Sequence, residues 1–116
     1  MAKLPKPVKR FEIPIYGGEV LLYKDQKEFW KAYAFLGGRQ EYDSPKSGEA
    51  AHLQSDEGMN IFLVGWYSGT LSTLVHEITH VMVFLFEHVG IDPRDSNGEV
   101  AAYLVGYLID KLHPTT

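Results

Sequence analysis

Two periods of apolar residues alternate along the chain. At 9–16 (KRFEIPIY), Phe11, Ile13 and Ile15 alternate with Glu12 and Pro14, and a second apolar run, EVLLY, follows at 19–23. A period of two predicts strands, and Gly17-Gly18 supplies a two-residue loop tolerant of positive φ, so the pair reads as a hairpin. Pro14 cannot donate to a ladder, which places the first strand at a sheet edge. From Asp25 the period lengthens. Phe29, Trp30, Tyr33 and Phe35 or Leu36 make a helical stripe, with Asp25 and Glu28 as a capping box and Gly37-Gly38 as the stop. Residues 39–48 are polar and turn-rich and read as loop. Residues 49–54 (EAAHLQ) form a weak strand, SDEG at 55–58 turns the chain, and NIFLVGW at 60–66 is an apolar strand expected in the middle of the sheet. A long helix is expected from about Thr70 to Glu87 or His88, stopped by Gly90, and a last helix from about Ser96 to Lys111, with Pro114 beyond. The order β-β-α-β-β-α-α predicts one α+β domain over residues 1–116.

Composition narrows the chemistry. With no cysteine among 116 residues, thiolate zinc sites, iron–sulfur clusters, disulfides and a cysteine nucleophile are excluded. No apolar run is long enough to span a membrane and no signal-peptide core opens the chain, so a cytoplasmic protein is expected. The net charge of −4 is unevenly spread. Lys3, Lys6, Lys9 and Arg10 lie in the first ten residues. The rest carries 7 basic (11 − 4) and 15 acidic side chains. An acidic body argues against nucleic acid as a partner, and residues 1–8 read as a flexible basic arm.

The long helix contains His76-Glu77-Ile78-Thr79-His80, an H-E-x-x-H sequence. Residues four apart share a helix face, so the two imidazoles converge on one divalent ion, for which zinc is the expected choice. Glu77, about 100° round the helix from His76, stands beside the ion rather than on it, where it can serve as general base. Leu71, Leu74, Val75, Ile78, Val81, Met82 and Leu85 are expected to hold the opposite face against the sheet. A catalytic zinc needs a third protein ligand. Glu87 lies about 10 Å along the axis beyond His80, too far for the same ion. His88 points elsewhere, and His113 follows the last helix. Glu99, 19 positions after His80 at the start of the last helix, is the better placed ligand, with Ala102 and Gly106 as small residues that let the last helix approach the long one.

His76-Glu77-x-x-His80 followed by Glu99-x-x-Ala102 resembles the zincin metallopeptidases of the gluzincin type, and the short chain resembles the small zincin-like peptidases of phage and prophage genomes. The match covers residues 71–107. The resemblance implies a small zincin-like fold, zinc held by His76, His80 and Glu99, Glu77 as general base, and a peptide or protein substrate paired along an edge strand, either 49–54 or 60–66. Where larger gluzincins place an Asp four residues after the ligand Glu, this chain has Tyr103. A partner for the ligand histidines must then come from Asn97, Tyr103, Asp110 or a backbone carbonyl. Tyr103, Tyr107 and His113 are the candidate oxyanion donors. The competing expectations are a non-catalytic metal-binding or protein-interaction module on the same fold, and an α+β interaction protein with a chance motif.

Overall fold

The computed structural model describes residues 3–39 and 45–113. Among them four strands form one sheet in the order β1-β2-β4-β3. β1 (Lys9–Glu12) pairs antiparallel with β2 (Glu19–Tyr23). β2 lies parallel to β4 (Asn60–Trp66), and β3 (Gly48–Gln54) closes the far edge antiparallel to β4. The sheet is therefore mixed. Helix α1 (Gln26–Phe35) covers one face; α2 (Leu71–Val89) and α3 (Glu99–Leu112) cover the other. None of these helices is long and apolar enough to cross a membrane.

The apolar run in β4 follows from this layering. Phe62, Val64 and Trp66 face α2 and α3, whereas Ile61 and Leu63 face α1, so both sides of the strand are buried. β2 divides in the same way, with Val20 and Leu22 on one side and Leu21 and Tyr23 on the other. Helix α2 presses Leu74, Ile78, Val81 and Leu85 into the first core, and α3 adds Leu104, Leu108 and Leu112.

Capping fixes the helix limits. Asp25 accepts from the Lys27 backbone N–H (2.9 Å) at the start of α1, while Glu28 lies 3.7 Å from Lys31. Thr70 caps α2, and the indole of Trp66 donates to the Thr70 carbonyl (2.7 Å), tying the end of β4 to the start of the helix. Gly90, at φ 77°, ends α2 in the left-handed conformation that glycine adopts without a steric penalty.

Two boundaries and one packing face differ from those expected. β1 stops at Glu12 because Ile15 takes φ 71° in a three-residue turn closed by Tyr16 N–H to Pro14 C=O (2.7 Å), so the loop is longer than Gly17-Gly18. The last helix begins at Glu99, because Ser96, Asn97 and Gly98 hold left-handed backbone (φ 55°, 57° and 82°) within a short 3-10 turn, Asp95–Gly98. Ala102 and Gly106 are exposed; Ala101, Val105 and Ile109 pack instead. Part of the loop expected over 39–48 and Pro114 lie outside the described residues. Within the basic arm, Leu4 packs against the α1-side core and the Pro5 carbonyl accepts from the Tyr23 hydroxyl (2.7 Å).

Leu108 is fully buried between α3 and the sheet. Leu108→Ala is expected to cost about 2–5 kcal/mol in a denaturant-unfolding measurement. A loss below about 1 kcal/mol would show that α3 does not share the core.

Candidate metal centre

Helix α2 sorts its residues by direction. The stripe Leu74-Ile78-Val81-Leu85 faces the core, which leaves His76 and His80 exposed on the outer side. Glu77 falls between these directions, against β3, and is only 5% exposed. Each of the three side chains offers a ligand atom, and these atoms all lie within 4.8 Å of one another. This is the one such group of three or more among the described residues.

The separation of the two imidazoles tests their fit to a metal. Their Nε2 atoms stand 3.3 Å apart. A tetrahedral ion with bonds of ~2.0–2.1 Å to each nitrogen requires about 3.3–3.4 Å between them. The donor set fits a divalent ion of borderline softness, with a carboxylate alongside.

Glu77 occupies the seam between α2 and the edge strand. Burial pushes its carboxyl above the usual carboxylate range, the charges of His76 and His80 pull it back, Glu49 adds to the rise, and Lys46 opposes it. The seam is tight because Gly48 has no side chain. A Cβ there would lie 2.7 Å from the Gly65 carbonyl oxygen, 2.7 Å from Thr73 Cγ2 and 3.2 Å from Glu77 Cγ. Behind it, Glu49 on the opposite face of β3 accepts from the Tyr67 hydroxyl (2.8 Å) and from Gln26 (3.3 Å). Burial, then the bond to Glu49, raises Tyr67 far above a normal phenol, so it stays a neutral donor.

A polar cleft of about 420 Å³ opens at one end of the group, lined by Lys46, Ser47, Gly48, Ser72, Thr73, His76 and Glu77. Rings wall the other end. His80 stacks on Phe84 (6.2 Å between centroids), Phe84 on His52 (6.0 Å), and His52 meets His88 edge-on (5.9 Å). β3 thus runs beside α2 in the same direction, with Gly48 next to Thr73 and Glu77 and His52 next to Phe84 and His88.

The other expected site residues lie elsewhere. Glu99 is exposed at the first turn of α3, and its carboxylate is outside the converging group. Tyr103 is 76% exposed and lines an apolar groove with Ile13, Pro14 and Tyr107. Tyr107 packs edge-on against Phe11 (6.0 Å), and His113 lies over Trp66 (6.0 Å) near the start of α2. Asn97 and Asp110 are exposed, and among the described residues neither they nor Tyr103 hydrogen-bond to His76 or His80. Sequence reasoning missed Gly48, Lys46 and the ring wall of His52 and Phe84. The available signals were a glycine opening the strand and a histidine in phase with it.

Comparison with family models, with curated proteins and with solved structures finds no match to this chain.

Two outcomes follow from the seam. Gly48→Ala is expected to destabilise the fold by about 1–3 kcal/mol, because backbone as well as side chain must move; a change under about 0.5 kcal/mol in unfolding titrations would show that the approach relaxes freely. The second concerns pH. A carboxyl whose folded pKa is raised stabilises the fold fully below its unfolded value, and that increment is lost as pH rises through the folded pKa. The metal-free protein should therefore lose stability from about the ordinary value of 4.5 upward as Glu77 ionises. Metal-free Glu77→Gln should lack this component and unfold at a higher temperature than wild type at pH 7. A lower melting temperature for the variant would contradict the assignment.

Proposed function

We propose that the chain is a zinc-dependent peptidase that hydrolyses peptide bonds, with His76 and His80 as metal ligands and Glu77 as general base. The observation that carries this reading is the 3.3 Å approach of the two imidazole Nε2 atoms, with the Glu77 carboxyl in the same group beside an open sheet edge. A structural metal site has no use for a buried carboxyl next to its ligands; a hydrolytic one does. When bound, zinc supplies a Lewis acid that polarises the scissile carbonyl and acidifies water.

The remaining work falls to the chain's own residues. Glu77, raised by burial, is a stronger base than a solvated carboxylate. It takes the proton of the attacking water and returns it to the leaving amine. The outer rim of β3 has no strand beside it among the described residues. It can hold an extended peptide by backbone pairing, with the peptide bond beside Glu77. Glu99 is the third ligand in this reading. Its carboxylate is exposed on a helix packed against α2 and stands outside the converging group, so in this reading it joins the ion by a movement of the first turn of α3.

The zinc-loaded protein should cleave a proteome-derived peptide library and stop when chelated. Glu77→Gln should keep stoichiometric zinc and lose at least ~100-fold in cleavage rate. Equal rates in that variant would remove Glu77 from the mechanism. Glu99→Ala should weaken zinc binding ~10-fold or more with an unchanged circular dichroism spectrum. Unaltered affinity would strike Glu99 from the ligand set.

A further inference from the structure

A strained turn at the β1 edge ends in an exposed apolar side chain. Ile15 holds φ 71° at the centre of the three-residue turn closed by Tyr16 N–H to Pro14 C=O, a conformation for which a β-branched residue is poorly suited. Its side chain is 96% exposed. Among the described residues it is the most exposed large apolar side chain, and Tyr103, at 76%, is the next. Both line one groove of about 300 Å³ between this turn and α3, with Ile13, Val100 and Tyr107 among its other walls. A single patch therefore carries a projecting knob beside a recess. Strain kept at an exposed apolar tip points to a use for that tip.

The charges beside the groove say what covers it. Glu99, Tyr103, Tyr107 and Lys111 follow at steps of four along α3 and make one ridge. Its first end is acidic, with exposed Asp95 just ahead of exposed Glu99. Its last end is basic: the Lys111 ammonium lies 5.7 Å from the centroid of the Tyr107 ring, and the Lys9 ammonium donates to the Lys111 carbonyl (3.0 Å). Turned end for end, this ridge is its own complement. Acid meets base at both ends and the tyrosines meet in the middle. Two ridges of this spacing pack with their helices crossed at about −50°. A two-fold pairing requires a patch that is complementary to itself. The other way to cover this edge is a strand added to β1. That strand is only Lys9–Glu12, and Pro7 and Pro14 beside it have no N–H to donate.

We propose that this patch is the interface of a two-fold dimer, in which the α3 helices of two copies of the chain lie antiparallel and each Ile15 enters the groove of the other copy. The groove lies at the β1 edge of the sheet and the metal centre at the β3 edge, so both metal clefts stay open in the pair. The proposal does not rest on the peptidase reading. Asp95 keeps the first end of the ridge acidic when Glu99 turns to the ion.

The test is sedimentation equilibrium of the full chain with chelator present, so that Glu99 has no ion to serve. Wild type should pass from monomer to dimer mass with a Kd of about 10–100 μM, as for a small interface. Ile15→Gly should sediment as monomer and melt no lower than wild type, since glycine takes this φ freely. Tyr103→Ser should weaken pairing about 10-fold or more. Lys111→Glu and Glu99→Lys should each weaken self-association about 10-fold or more, because like charges then meet at both ends. Mixed in equal amounts, those two variants should pair again to within about 3-fold of wild type, since each meets its opposite charge. Monomer at every concentration up to about 500 μM would overturn the proposal. So would a dimer that Ile15→Gly and Tyr103→Ser leave unchanged, or charge variants that stay apart when mixed.

Discussion

The close approach of α2 to the edge strand at Gly48 governs the rest of the centre. No other residue fits there without displacing the Gly65 carbonyl or Thr73. The contact seats the helix low over β3, buries the stem of Glu77 in the seam, and lifts His76 and His80 onto the crest. A helix set higher would leave Glu77 in water as an ordinary surface carboxylate. The candidate chemistry is a result of packing distance as much as of residue type.

That distance carries an electrostatic cost. Burying a carboxyl disfavours its charged form, and among the described residues no ion pair reaches Glu77 in the seam. Its neighbours moderate the cost without cancelling it: the two imidazoles and Lys46 pull one way, and Glu49 pushes the other. Glu49 is occupied with Tyr67 and Gln26 on the far face of the strand, which holds the rim of the cleft in place. A fold selected for stability alone would place an apolar side chain in this seam. A carboxyl kept there, poised next to two converging imidazoles, has the form of a functional group.

Much of this was legible in the chain. The apolar run IFLVGW at 61–66 marked the central strand, because only a strand covered on both faces needs no polar side. Thr70 and Gly90 bracketed α2, since cap chemistry is local. The motif placed His76, Glu77 and His80 on a single helix, and their mutual geometry follows from 3.6 residues per turn. The start of α3 was read three residues early because the left-handed run Ser96-Asn97-Gly98 is set by the route from α2 to α3 and by no local preference of serine. Ala102 and Gly106 were taken as a contact face because they are small. The packed face follows Ala101, Val105 and Ile109 because the rotation of α3 is set by Leu104, Leu108 and Leu112.

The sequence by itself determined which side chains share a helix, since their spacing along a regular backbone leaves no freedom. It also determined that the chain builds a covered sheet. Only the tertiary structure decided which strand lies beside that helix, how closely, and what else gathers there. Those outcomes depend on contacts between segments far apart in the chain: Gly48 against Thr73, Glu49 with Tyr67, His52 against Phe84. Local periodicity carries no information about them, because the energy that selects them exists only once the layers have closed.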